Sequence, residues 1–196
     1  MIGHILPRRS PGAYWGVGHE RDGGLEKFIT LRDGWQVLIR PARPEDAAAI
    51  WSVIEPTIRA GETYTLDPHM SEADALAYWL AADKDTFVAE DDGSIVGTYF
   101  MRPNQAGGGA HVCNCGYITN AAATGRGVAR QMCKHSLEHA RSRGYRAMQF
   151  NFVVSTNERA VRLWESLGFK IVGRLPLAFR HPTRGYVDAL VMFQPL

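Results

Sequence analysis

No apolar run in the 196 residues approaches the roughly 20 needed to cross a bilayer, so a membrane protein is not expected. Arg8 and Arg9 are not followed by an apolar core segment, so a secretory signal is not expected either. An organelle-targeting reading of that segment stays open. There are only three cysteines, an odd number, which argues against a disulfide framework and for a reducing compartment. The expected location is the cytoplasm. No charge of one sign dominates: 22 Lys and Arg face 20 Asp and Glu, a net +2, too near neutral for a nucleic-acid surface. No internal repeat is present. Two phosphate-binding fingerprints are missing as well. No Lys follows Gly127 to complete a Walker loop, and Arg130 stands where a dinucleotide fingerprint needs its third glycine. Metal-ligand spacing is also lacking, and no metal is expected. Cys113 and Cys115 sit two apart on one face of a strand and read as buried core thiols. His135 and His139 lack the Glu of H-E-x-x-H and are expected on the surface.

What is present suits one globular domain. Apolar residues make up 45% and charged residues 21%, and the length allows a sizeable core. Residues 1–26 read as an N-terminal arm without apolar periodicity, in which Tyr14 and Trp15 can pack on the domain or on a partner subunit. Residues 27–196 read as the domain. Phe28–Leu31 and Trp35–Ile39 flank Asp33-Gly34, a short hairpin signal. Pro44, Glu45 and Asp46 open a helix carrying Ile50, Val53, Ile54 and Ile58, with a kink expected near Pro56. Ser71 and Asp74 resemble a capping box before Leu76, Trp79 and Leu80. A second hairpin turns at Asp92-Gly93, and Gly107 to Gly109 read as a turn before a strand over His111–Asn120. Val128, Met132, Ser136, Leu137 and Ala140 form the apolar stripe of a helix stopped by Gly144. A strand over Arg146–Val154 leads to a helix beginning at Asn157, and the strands Lys170–Gly173 and Val187–Phe193 follow. The order β-β-α-α-β-β-β-α-β-α-β-β predicts a single α+β domain around one mixed, twisted sheet.

The chemistry gathers at Gly116–Met132. A β-branched and aromatic strand turns sharply there into a glycine-rich helix start. Such a turn leaves several backbone N–H groups unpaired and pointing one way, beside the positive end of the helix dipole. That is an anion site, usually for phosphate or pyrophosphate.

The run Thr124-Gly-Arg-Gly127-Val-Ala129 resembles the Q/R-x-x-G-x-G/A pyrophosphate loop of the GCN5-related N-acetyltransferases (the GNAT family), with Thr124 in the usual Gln or Arg place. Asn157-Glu-Arg-Ala-Val-Arg-Leu-Trp-Glu-Ser-Leu-Gly-Phe169 resembles that family's N-x-x-A-x-x-L-Y-x-x-x-G-F segment. The two elements stand in the family order. The resemblance implies a splay between two central parallel strands, helices on both faces of the sheet, and acetyl-CoA as cosubstrate. Tyr117, Ile118 and Thr119 would receive the pantetheine amides as a β-augmenting strand. Thr124, Gly125, Arg126, Gly127, Val128, Ala129 and Arg130 would receive the pyrophosphate, and Asn157 would complete the cofactor site. Trp164 stands in the slot where many members carry the Tyr that protonates the departing thiolate, and an indole cannot do that.

A narrower pattern, His111-Val-Cys-Asn-Cys-Gly-Tyr117 with Asn151, Asn157 and Pro103-Asn104, resembles the subgroup that includes the yeast proline-analogue (azetidine-2-carboxylate) N-acetyltransferase. It implies a small-molecule amine acceptor, including an amino or imino acid, held by Asn114 and Asn151 near the thioester, with Tyr117 beside them. A structural pairing of the two Asn with loops is the alternative. A backbone N–H near Ile118 would polarise the thioester carbonyl. In the loop after the first helix, Glu62 is the candidate base, its alternative being a solvated loop acid. Arg59 is the candidate partner of a substrate carboxylate, and Tyr64 a further substrate contact. A homodimer is expected. The competing functions are a non-catalytic acyl-CoA sensor and an acetyltransferase of protein amines.

Overall fold

A computed structural model of the chain describes residues 25–31 and 34–196. The arm expected over residues 1–26 thus lies outside the described residues as far as residue 24, with Tyr14 and Trp15, and so does Asp33. Among the described residues the elements run β1 (Lys27–Thr30), β2 (Gln36–Pro41), α1 (Ala47–Ala60), α2 (Glu72–Trp79), β3 (Asp85–Asp91), β4 (Ser94–Pro103), β5 (Val112–Thr119), α3 (Val128–Ser142), β6 (Ala147–Val154), α4 (Glu158–Ser166), β7 (Lys170–His181) and β8 (Gly185–Pro195). This is the order the sequence predicts. The strands form one mixed sheet in the order β1-β2-β3-β4-β5-β6-β8-β7.

The sheet faces divide by the period of two. Val88, Phe100 and Ile118 turn to one face, where Ile50, Val53, Ile54 and Ile58 of α1 and Trp79 of α2 pack. Phe87, Ala89 and Tyr99 turn to the other, against Val128 and Met132 of α3. Trp164 of α4 joins that second face through Phe150 and Phe169. Helices therefore cover both faces. No helix among the described residues is long and apolar enough to cross a membrane.

Local chemistry fixes the element ends. Asp92 (φ 45°) and Gly93 (φ 75°) make the tight turn between β3 and β4, as the Asp-Gly pair predicts. Ser71 caps α2 by accepting from the Asp74 N–H at 3.1 Å. Pro44–Asp46 form a single 3₁₀ turn before α1, which then runs through Pro56. Arg40, buried, donates to both Asp46 carboxylate oxygens at 2.7 and 2.9 Å and to Glu90 at 2.7 Å, tying the start of α1 to the sheet.

Two expectations need correction. His135 and His139 are buried, 5% and 8% exposed, rather than on the surface. The face of α3 that meets the sheet is wider than the five-residue stripe, because Phe87 and Tyr99 present ring edges and a hydroxyl that an imidazole can meet. Tyr99 Oη lies 2.7 Å from His135 Nδ1, and His139 Nε2 lies 3.1 Å from Asp85 Oδ2. Burial, and then the neighbouring His139, push the His135 pKa down to about 4, so a neutral ring shares the hydrogen bond with the Tyr99 hydroxyl. The last two strands are also longer than expected and pair as far as His181↔Gly185. Pro176 and an irregular register between Leu175 and Phe179 hide this stretch from the alternation rule.

Candidate active site

The feature that opens the site lies between β5 and β6. These parallel strands pair only at Val112↔Ala147 and Cys113↔Met148, and then part. The expected splay is present. Beyond it the edge of β5 has no strand partner on that side, while its other edge stays paired with β4 through Thr119. Where the strands part, the Asn114 side-chain amide donates to the Gln149 carbonyl at 2.8 Å. It takes the place of a lost ladder bond, and Asn114 Oδ1 has no hydrogen-bond partner among the described residues.

Two cavities meet at this opening. One, of about 300 Å³, lies at the N-termini of α3 and α4 and is lined by Tyr117, Thr119, Thr124, Gly125, Gly127, Val128, Ala129, Arg130 and Asn157. It brings together nearly all of the residues expected to hold the cofactor. Gly125 and Gly127 sit at φ 88° and 93°, a left-handed conformation that closes the loop; the Thr124 and Arg126 N–H groups donate back to Ala121 and Ala123, while those of Gly125 and Gly127 have no main-chain partner among the described residues. Asn157 caps α4 by accepting from the Ala160 N–H at 3.2 Å. Two expected residues lie apart from the lining. Ile118 is buried and faces the second cavity, and Arg126 lies over the Trp35 ring, 4.0 Å from its centroid. The cradle of main-chain donors fits a diphosphate, and the unpaired β5 edge beside it fits an extended amide-bearing chain.

The second cavity, of about 450 Å³, lies under the α1–α2 loop and shares Tyr117, Thr119, Asn157, Ala160 and Trp164 with the first. Asn114, Asn151, Tyr64 and Tyr117 line it, so the structure gathers these expected substrate contacts. Asn151 is committed on both sides: its Nδ2 donates to Asn104 Oδ1 at 2.6 Å and its Oδ1 accepts from Gln149 Nε2 at 2.8 Å. Tyr64 donates to the Tyr117 carbonyl at 3.0 Å. A Cβ at Gly116 would lie 2.7 Å from the Phe100 ring, so only glycine lets that ring form the floor. The Tyr117 hydroxyl points away, to Ser136 Oγ at 2.6 Å, and burial raises its pKa well above the ordinary phenol value. Its ring packs against Trp164 at 5.1 Å between centroids. The phenol is thus a neutral core group.

Arg59 and Glu62 do not line this cavity. Arg59 spends its guanidinium on the Pro68 and Met70 carbonyls and lies over Trp51. Glu62 is exposed, although its neighbours Thr63, Tyr64 and Thr65 do line the space.

The cation that does line it is Arg102, at the end of β4 and directly across the ladder from Asn114. Its Nε is buried and has no hydrogen-bond partner among the described residues. Its Nη1 lies 3.6 Å from Asp83, too long for a good hydrogen bond. Behind it Lys84 sits over the Tyr78 ring, 3.6 Å from the centroid, with its pKa pushed down to about 8 by burial. This wall is cationic and half-satisfied. Nothing in the local sequence separates Arg102 from an ordinary strand-end residue. Only the pairing of β4 with β5 brings it to the opening.

The acetyltransferase (GNAT) family model matches residues 45–169. A GCN5-related N-acetyltransferase from Kribbella flavida is 43% identical, and its solved structure superposes with a TM-score of 0.79 over 82% of this chain and 98% of that one. The N-acetyltransferase aca1 of Schizosaccharomyces pombe is 28% identical over 151 residues, which cover 68% of this chain and 72% of its own length. A GNAT-superfamily phosphinothricin acetyltransferase from Sinorhizobium meliloti, solved in complex with acetyl-CoA, is 18% identical with a TM-score of 0.73 over 82% of this chain and 88% of that one. At that identity the likeness is one of fold.

Proposed function

We propose, for a chain that belongs to the acetyltransferase (GNAT) family, transfer of the acetyl group of acetyl-CoA to the amine of a small acid, an amino or imino acid. Acetyl-CoA as cosubstrate suits the two main-chain features already described, the β5 edge and the cradle at α3. Thr124–Arg130 and Asn157 hold its diphosphate end, and Tyr117–Thr119 pair with its amide-bearing arm. The observation that carries the acceptor class is the unpartnered Nε of Arg102 at the wall of the second cavity. The Arg102 side chain is 38% exposed at this wall and lies 3.6 Å from Asp83, so its guanidinium is free to take a ligand carboxylate through two parallel bonds.

The reaction needs a neutral amine. Its lone pair attacks the thioester carbonyl carbon, the C–S bond breaks, the thiolate departs with CoA, and the surplus amine proton goes to water. Asn114 Oδ1 accepts an N–H of the amine, which turns the lone pair toward the thioester. Anchoring of the Asn114 amide on Gln149 fixes that orientation. Asn151, held between Asn104 and Gln149, braces the same wall. A main-chain N–H of β5 polarises the carbonyl. Holding the reacting atoms about 3–3.5 Å apart supplies much of the rate. A thiol with a pKa near 8.5 leaves without full protonation, so Trp164 in the Tyr slot does not prevent turnover. The likeness to the proline-analogue acetyltransferases rests on Asn114, Asn151 and Pro103-Asn104, and forms part of this proposal. A homodimer and a cytoplasmic location are proposed with it, from the sequence alone.

The test is a panel of amines monitored by release of free CoA thiol, each amino or imino acid paired with the amine that lacks its carboxylate. Turnover concentrated in the acids supports the proposal. Equal turnover of both sets, or turnover of peptide N-termini alone, contradicts it.

A further inference from the structure

The main-chain donors of the cradle face one side of the diphosphate site, and the opposite side is occupied by Arg159. This residue lies second in α4, after Asn157 and Glu158, and lines the cavity with Thr124, Gly125 and Arg130. Its Nη2 lies 3.8 Å from the position a Cβ would take on Gly125. The side chain therefore reaches across from α4 to the glycine loop. The other guanidinium groups near the loop are engaged elsewhere. Arg130 donates to Ser166 Oγ at 2.8 Å, and Arg126 lies over Trp35. The neighbouring carboxylate is turned away, since Glu158 pairs with Arg162 at 2.9 Å. Arg159 makes no hydrogen bond or ion pair with the described residues.

This placement is electrostatically unfavourable in the free protein. A cation in the first turn of a helix meets the positive end of the dipole. Here the start of α3 and its unpaired amides add to the same positive region. A diphosphate reverses the sign of every one of these terms. It would accept from the loop amides on one side and from a planar, two-pronged guanidinium on the other.

We propose that Arg159 is a cosubstrate-positioning residue that closes the diphosphate site of acetyl-CoA from the α4 side. This rests on the reading of that cavity as the acetyl-CoA site. The contact sets the preference for a diphosphate-bearing thioester over the bare pantetheine thioester. It also gives Arg159 opposite effects on the free and the bound protein, which a merely structural residue would not have.

The experiment compares wild type, Arg159→Ala and Arg159→Lys as full chains. Calorimetry with CoA and with dephospho-CoA gives affinities, and thermal melts with and without CoA give Tm. Turnover of acetyl-CoA and of S-acetylpantetheine gives a preference ratio. The expected result for Arg159→Ala is about a tenfold loss of affinity for CoA and for dephospho-CoA, and about a tenfold fall in the preference ratio. Its Tm without ligand is equal to wild type or higher, and the rise on adding CoA is smaller. Arg159→Lys recovers part of the affinity, because it keeps the charge but loses the fork. Unchanged affinity overturns the proposal. A loss seen with CoA but not with dephospho-CoA also overturns it, since the partner would then be the 3′-phosphate. A lowered ligand-free Tm with an unchanged preference ratio returns Arg159 to a structural role. Failure of the wild type to bind CoA would instead remove the reading of the cavity itself.

Discussion

The cavity at the starts of α3 and α4 is built around one contiguous glycine loop and two helix starts, and the cavity under the α1–α2 loop around side chains brought from separate elements. In the first, Gly125 and Gly127 close one short loop beside a helix end. In the second, Tyr78, Arg102, Asn114 and Asn151 come from α2, β4, β5 and β6. The difference has a physical origin. A diphosphate is the same in every acetyl-CoA, and an array of N–H groups at a helix start suits any anion of that shape. An acceptor is recognised by the particular groups it carries, and only side chains can be exchanged to match them. The ridge of Tyr117 and Trp164 that joins the two cavities is apolar and closely packed, so damage to one side should leave the other intact.

The largest test of that division is Gly127→Val. At φ 93° a β-branched residue carries about 1–3 kcal/mol of backbone strain, and relief of that strain swings the amides out of line. Leu31 Cδ2, at 4.0 Å from the added Cβ, offers no clash, so the loss is not one of packing. Acetyl-CoA affinity on a folded variant should fall about tenfold to a hundredfold by calorimetry. Next is Arg102→Ala. Loss of one member of a partly buried charge pair costs about 2 kcal/mol, so kcat/KM for an acid acceptor should fall roughly 30-fold while acetyl-CoA affinity holds. Arg102→Lys should not restore it, because the two-pronged donor is gone.

A smaller effect is expected at Asn114→Ala. It removes the amine contact and loosens the strut on Gln149, together about 1.4 kcal/mol, so turnover should fall roughly tenfold. Adding Asn151→Ala should make it little worse, since residues acting as a unit are not additive. Fully additive losses would make the two Asn separate structural supports. The smallest effect is at Trp164→Phe. Turnover should stay within about threefold, the cost of repacking against Tyr117 and Phe150, with no new limb in the pH profile. A steep, pH-dependent fall with binding intact would make Trp164 more than packing.

The same contrast explains what could be read from the chain. The cradle was legible because Thr124–Arg130 is contiguous and its glycines are required by φ. The order of elements was legible because each helix and strand carries its own period and its own end signal, such as Ser71 or Asp92-Gly93. Arg102 is hidden in the sequence because its placement is made by tertiary pairing: it stands just before Pro103-Asn104 and comes opposite Asn114 only once β4 and β5 are laid together. The resemblance points to Glu62 because the loop after α1 overhangs the acceptor end in the family fold, and to Arg59 as a carboxylate partner; in the structure Arg59 takes carbonyl partners and Glu62 stays exposed, outside the cavity lining. The burial of His135 and His139 is not visible in the sequence, because only the packed interface sets Tyr99 and Asp85 across from them with complementary groups. The outer part of β7 escaped because Pro176 and the irregular register near it break the alternation.

The most direct test of the division between the two cavities crosses the variants with the substrates. KM and kcat are measured for acetyl-CoA and for the best acid acceptor in wild type, Gly127→Val, Arg102→Ala and the double variant. Gly127→Val should raise KM for acetyl-CoA alone, Arg102→Ala should lower kcat/KM for the acceptor alone, and the double variant should show the product of the two losses. If either change damages both substrates equally, or the two losses combine to less than their product, the cavities act as one site and the division between a glycine-loop cofactor wall and a side-chain acceptor wall is wrong.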